Sequence, residues 1–243
     1  MIVSEILGST ERPLKGRTVE EVTIGLGYTA VKLDDGSCGL AATLRDEIVG
    51  CCSLIDRAGE LAGCQACHLS ELILSTDVLE SAVGLATINA CINKDIKSNV
   101  ASPIEALGIG KDNVVGMIGY FEPLIEPIQQ RCNKLYVFER KPSDKEFVYP
   151  DWAASVLLPR CDIAIISGTT LINKTIDHLL ELCQGTVAIL GPSTPMSPIF
   201  KKHGVSFAFG SIVRDASKVL KIVSQAGGTL SFGKAVEKIN LRL

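Results

Sequence analysis

Five short segments of this sequence combine glycine, hydroxyl, aromatic and charged side chains in ways that suit a small-molecule site. Gly116-Met117-Ile118-Gly119-Tyr120-Phe121-Glu122 follows an apolar run and resembles a dinucleotide fingerprint without its full glycine spacing. Glu122 would place a carboxylate where a pyrophosphate must sit, which argues against a standard NAD site. Glu139 stands twenty residues beyond Gly119, a separation at which an acid commonly accepts hydrogen bonds from a ribose diol. The plainer reading pairs it with Arg140 or Lys141. Ser167-Gly168-Thr169-Thr170 leads into a helix, so its N–H and hydroxyl groups could hold an anion, with Asn173 one turn on. Ordinary capping by Thr169 or Thr170 is the simpler account. Gly191-Pro192-Ser193-Thr194-Pro195-Met196-Ser197-Pro198 is stiffened by its prolines, as a pre-organised binding loop would be, or as a rigid turn would be. Arg45, Asp46 and Glu47 form either a solvated turn or a polar wall facing the cleft.

Metal chemistry has a weaker basis. Cys64-Gln65-Ala66-Cys67-His68 has the spacing of a c-type haem attachment site, but nothing signals export and no matching zinc pair exists. His178 and His203 are isolated. The nine cysteines are odd in number and several sit in apolar runs, so all are expected reduced, without haem on Cys64 or Cys67. No metal or cofactor can be assigned from these residues.

The elements that must carry these segments fall into two groups. Val22–Leu26, Tyr28–Leu33 and Gly39–Thr43 read as an antiparallel meander, with Asp34-Asp35-Gly36 as its hairpin turn. A helix over 77–93 comes next, with Asp77 as cap and Asn93 as stop. Beyond Asn99, strands at 114–118, 135–138, 163–166, 187–190 and 205–209 alternate with helices beginning at Glu122, over 172–183 and over 216–225. That alternation implies βαβ units and a mainly parallel sheet, hence an α/β protein. A small α+β domain over 1–98 and a parallel-sheet domain over 105–243 are expected. The 243 residues are 47% hydrophobic and 21% charged, enough for a sizeable core. A net charge of -3 speaks against a nucleic-acid partner. No apolar run approaches the roughly 20 residues of a membrane span, and Met1-Ile2-Val3-Ser4-Glu5 does not open a signal peptide, so a cytoplasmic protein is expected.

Leu40–Asp46 and Ser81–Ala90 resemble the first domain of the heavy-metal chelation domain family, long catalogued as a domain of unknown function. Val115–Phe121, Val137–Arg140, Ser167–Asn173 and Leu190–Pro195 resemble its second domain, so the resemblance covers nearly the whole chain. It implies an enolase N-terminal-like domain, then a Rossmann-like domain, with a site between them. Cys64–His68 is not part of the family pattern.

The expected site is a cleft lined by Gly119, Tyr120, Phe121, Glu139, Gly168, Thr169, Asn173, Pro192, Ser193 and Thr194, closed by Arg45 and Asp46. Two functions fit. One is a binding module for a small anionic or heterocyclic ligand, a chelator or metal chelate. The other is an enzyme of pterin, flavin or siderophore-like metabolism with a methyltransferase-like or dehydrogenase-like second half. No nucleophile–base pair stands out, which favours binding. A homodimer is left open.

Overall fold

The computed structural model describes every residue except Val49, Cys51, Cys52, Ser53, Asp56, Ala101 and Pro142. The reduced state expected of Cys51 and Cys52 therefore lies outside the described residues. The other seven cysteines are free thiols.

Strands β1 (Val19–Ile24), β2 (Tyr28–Leu33) and β3 (Cys38–Ala42) form the antiparallel meander in the order β1-β2-β3. The β2–β3 hairpin turns at Gly36, whose φ of 82° lies in the left-handed region that glycine enters without strain. Asp35 accepts from the Ser37 N–H at 3.0 Å and from Ser37 Oγ at 2.6 Å. It also pairs with Lys94 at 2.9 Å, tying the hairpin to the segment after the long helix. Burial alone would raise the Asp35 pKa, but the Ser37 and Lys94 hydrogen bonds outweigh it and hold the carboxyl well below its usual range. A carboxylate depressed in the folded state stabilises fully above its unfolded pKa, and that contribution is lost as pH falls through the folded value. Asp35→Asn is expected to cost about 1–2 kcal/mol at pH 7. The gap from wild type should close below about pH 4 in urea melts at stepped pH. An unchanged gap at pH 2.5 would refute the assignment.

The long helix Val78–Ile92 starts where Asp77 accepts the N–H groups of Leu79 and Glu80 at 2.8 and 3.0 Å. It is buried along nearly its whole length, because β2 and β3 cover one side and the segment Glu71–Leu74 another. A helix over Ile2–Leu14, not anticipated from the sequence, buries Ile2, Val3, Ile6 and Leu14 against this core. Its first N–H, at Ile2, donates to Asp177 Oδ1 at 2.9 Å, so the chain's start is fastened to its second half.

The second sheet has seven strands in the order β10-β9-β8-β7-β4-β5-β6. They are β4 (Val114–Ile118), β5 (Lys134–Glu139), β6 (Val148–Pro150), β7 (Ile163–Ser167), β8 (Thr186–Leu190), β9 (Val205–Val213) and β10 (Val236–Arg242). All neighbours are parallel except β9 and β10. Strands β6 and β10 were not anticipated, and β9 runs four residues beyond the expected 209. The chain builds outward from β4 through β5 and β6, then returns to β7 on the other flank of β4. Such a reversal opens a crevice at the carboxyl ends of the two strands.

One helix differs from expectation. The helix expected over 172–183 spans Ile176–Leu182, and the residues before it form a tight turn, Gly168–Leu171. Lys174 interrupts the run with a φ of 60°, a left-handed conformation that no continuous helix accommodates. Helices Glu122–Gln129 and Ala216–Ser224 stand as read.

The two sheets share apolar cores. Val83, Leu85 and Ile88 of the long helix cluster with Leu171, Ile172, Ile176 and Phe200. Ala30, Cys38 and Leu40 of the meander cluster with Val219, Leu220, Val223 and Phe232. The meander is thus held against the helix Ala216–Ser224 and the segment that follows it.

Candidate functional site

A cavity of about 840 Å³ opens at the switch between β4 and β7. Residues at the carboxyl ends of three strands make its floor: Ile118–Phe121 at β4, Phe138–Lys141 at β5, and Ser167, Thr169 and Thr170 at β7. Its opposite wall is the meander, through Leu26, Gly27 and Thr43–Glu47. Asn173, Thr175 and His178 close one side, and Asp151 and Trp152 another.

Eight of the residues singled out from the sequence meet here: Arg45, Asp46, Gly119, Tyr120, Phe121, Glu139, Thr169 and Asn173. Four do not line the cavity. Gly168 is buried behind Thr169, where a Cβ would come within 2.7 Å of Thr194 Oγ1. Ser193 and Thr194 are buried, and Ser193 Oγ accepts the Ala42 N–H at 2.8 Å, joining the stiff loop to β3. Pro192 sits in that same loop. Asn93 explains the stiffness: its amide donates to Thr194 O at 2.9 Å and its oxygen accepts from the Met196 N–H at 2.8 Å. The loop is a strut between the halves.

Charge in the cavity is largely paired across it. Arg140 reaches Glu47 at 2.5 Å and Asp151 at 3.6 Å, and Lys141 reaches Asp46 at 2.8 Å. With the Asn173 amide turned to satisfy both its ends, its oxygen accepts from Arg140 Nη2 at 3.1 Å. The hydrogen bond from Lys141 holds the Asp46 carboxyl below its usual range. These pairs draw the turn Arg45–Glu47 down onto the end of β5. Glu139 is consequently left over. Among the described residues its carboxylate makes no hydrogen bond or ion pair, and neither does the Arg45 guanidinium. The simple pairing of Glu139 with Arg140 or Lys141 is therefore not what forms.

The hydroxyls after β7 are mostly engaged locally. Ser167 Oγ accepts the Thr169 N–H at 3.3 Å and lies 2.8 Å from Thr169 Oγ1, and Thr170 Oγ1 donates to Ser167 O at 2.7 Å. This is capping, and it takes up the Thr169 N–H and the Thr170 hydroxyl. Aromatic surface is supplied by Tyr120, Phe121 and Trp152, the last 70% exposed. Lys145 donates to the Tyr120 hydroxyl and lies 4.6 Å from the ring centre.

Arg140, Lys141, Asp151, Trp152 and His178 were not singled out as site residues from the sequence. Trp152 is the chain's one tryptophan, and its large ring directly after Pro150-Asp151 is a signal that could have found it.

Comparison with known proteins agrees with this architecture. Residues 102–242 match a family described as "Putative heavy-metal chelation", and residues 9–92 match a second family of the same description. The chain belongs to the heavy-metal chelation family. An uncharacterized protein of Methanocaldococcus jannaschii is 28% identical over 178 residues, covering 70% of this chain and 68% of that one. Two crystal structures of family proteins with unknown function share the fold. That from Desulfitobacterium hafniense has a TM-score of 0.82 at 24% identity, covering 99% of this chain and all of its own. That from Pyrococcus horikoshii has a TM-score of 0.85 at 22% identity, with both chains fully covered.

The family description raises the question whether the cavity suits a bare metal ion. It does not. Among the described residues no group of three or more His, Cys, Asp or Glu side chains comes together. Among the described residues no cysteine lines the cavity, and three of its four carboxylates are paired with Arg140 or Lys141. Cys64 lies elsewhere, donating to Glu60 O at 3.1 Å and receiving Arg57 Nη2 at 3.3 Å. Its partners are those of a local turn.

Proposed function

We propose that the protein binds a small heterocyclic organic ligand in this cavity, and that any metal enters as part of a chelate. The observation that carries this is the pairing pattern. Cross-cavity ion pairs neutralise most of the lining and, among the described residues, leave one carboxylate and one guanidinium without a hydrogen bond or ion pair beside an aromatic wall. An unpartnered carboxylate recognises hydroxyl or amino donors, and an unpartnered guanidinium recognises a carboxylate or other anion. Flat heterocycles stack on rings such as Phe121 and Trp152. Chelators, pterins, flavins and nucleosides all offer this combination. The cavity's volume lies within the range usual for such ligands.

The test is a thermal-shift panel of divalent metals alone, chelators with and without metal, pterins, flavins, nucleotides and S-adenosylmethionine. A ligand at a hundred times its Kd should add about 2.7 kcal/mol of stability. Organic members are expected to shift Tm, and metals alone are not. A shift with bare metal and none with any organic compound would overturn the proposal. Glu139→Ala and Arg45→Ala should each weaken the binding about 10-fold while leaving Tm nearly unchanged, because neither side chain holds the fold together. Thr169→Val should instead cost roughly 1 kcal/mol of stability, since its hydroxyl belongs to the Ser167 turn. The runner-up is a catalyst of the same ligand class, with Glu139 as general base. Product formation during incubation with the stabilising compound would favour it.

A further inference from the structure

We propose that the cavity's ligand is a ribonucleoside, or a conjugate of one, that carries no phosphate at its 5′ carbon. This rests on the small-ligand reading above and narrows it to one class.

The first observation is the place of Glu139. It ends β5, next to the strand at which the sheet order reverses, and its neighbour Phe138 accepts the Gly119 N–H at 3.0 Å. The carboxylate therefore stands beside the loop that leaves β4. In parallel sheets of this kind an acid there accepts both hydroxyls of a ribose. Its lack of a protein partner, while Arg140 and Lys141 just beyond it are engaged with Glu47 and Asp46, leaves both lone-pair sets for a diol.

The second observation is that the two backbone sites where a phosphate would sit are poorly supplied with donors. A dinucleotide would put its pyrophosphate on the N-terminus of the helix after β4. Here that helix, Glu122–Gln129, opens with a carboxylate at Glu122. Pro123 then has no N–H to give, and the Leu124 N–H is already donated to Phe121 O at 2.8 Å. At the other candidate, the turn after β7, the Thr169 N–H is already taken by Ser167 Oγ. A diol site without a phosphate site selects nucleosides over nucleotides. Arg45, across the cavity, would meet a carboxylate on a longer 5′ substituent.

The test uses the sole tryptophan, Trp152, whose emission reports occupancy of the cavity it lines. The probes are adenosine, guanosine, cytidine and uridine, their 2′,3′-dideoxy counterparts, their 5′-triphosphates, and S-adenosylhomocysteine as a carboxylate-bearing conjugate. Calorimetry supplies Kd. At least one ribonucleoside or the conjugate is expected to bind. Its dideoxy counterpart and triphosphate should each bind about 10- to 100-fold more weakly, the range of hydrogen bonds to a charged group. Glu139→Gln should weaken the ribonucleoside and leave the dideoxy compound unchanged. A triphosphate that binds as tightly as the nucleoside, or a dideoxy compound equal to its parent, would overturn the inference. If no nucleoside binds while a pterin, flavin or chelator does, with loss in Arg45→Ala, this inference fails and the small-ligand reading stands. If nothing in either set binds, both fail.

Discussion

Gly39→Val is expected to leave little folded protein at 25 °C, and Gly39→Ala to cost about 3 kcal/mol or more. Gly39 lies in β3, opposite Val31, with the long helix pressed directly on it. A Cβ there would stand 2.1 Å from Ala86 O and 2.1 Å from Ala90 N. Both are backbone atoms of a buried helix, so no side chain can swing aside. Relief requires the helix to move off the sheet, which would open the core shared by both halves. Total stability of a domain this size is only about 5–15 kcal/mol, so the valine variant sits near or past the limit. Gly84, on the same helix, meets Ile73 N at 2.1 Å and should behave alike. Gly8 is the control: nothing lies within 4 Å of its Cβ position, and it is in a helix. Gly8→Ala should be neutral or stabilise by up to about 1 kcal/mol. Urea midpoints decide the matter. A Gly39→Ala variant within about 0.5 kcal/mol of wild type, the spread of an ordinary surface change, would show that the helix and strand are not in the close contact described.

Much of the fold is readable because the apolar runs are continuous and short. Val114–Ile118 and Ile163–Ser167 are buried on both faces, and such strands announce themselves by composition alone. The elements that escaped notice are those whose burial is one-sided or brief. Strand β10 reads Val-Glu-Lys-Ile-Asn-Leu-Arg, an alternation in which Ile239 is fully buried among exposed or half-buried neighbours. Strand β6 is three residues long and ends in proline. The helix Ile2–Leu14 carries a proline at position 13, which masks the spacing of Ile2, Ile6 and Leu14.

The site divides along a physical line. Residues fixed by topology, such as Gly119 and Glu139, can be placed by knowing where parallel strands end. Residues fixed by pairing across the cavity cannot. Nothing local to Arg140 shows that Glu47, ninety-three positions earlier, will take its guanidinium and so leave Glu139 open. The stiff loop Gly191–Pro198 misled for the same reason. Its polar residues look poised for a ligand, yet their partners, Ala42 and Asn93, are remote in sequence and visible only in the folded chain.

Lys174→Met is expected to cost about 3 kcal/mol and to weaken ligand binding as well. The lysine ammonium donates to Ser75 O at 2.5 Å, to Ser81 Oγ at 2.7 Å and to Ile172 O at 2.7 Å. It thus ties the approach to the long helix to the turn after β7. Methionine keeps the apolar stem but strands the part-buried Ser75 carbonyl, and an unsatisfied acceptor costs up to about 1–3 kcal/mol when buried. Ser81 can still donate to Ile172 O, at 2.8 Å, so the loss stops short of all three bonds. The neighbours Asn173 and Thr175 line the cavity, which is why a slackened turn should lower affinity too. Burial pushes the Lys174 pKa down, against a smaller opposing pull from Asp77. The unfolded chain then holds this proton more tightly than the folded one. Stability from this group therefore rises with pH, from the lowered folded value up to the ordinary value near 10.5. The gap between wild type and Lys174→Met should widen over that range in urea melts. A variant as stable as wild type at pH 7 would mean that the three hydrogen bonds do not hold the turn, and a gap that is constant with pH would mean that burial does not lower this ammonium's pKa.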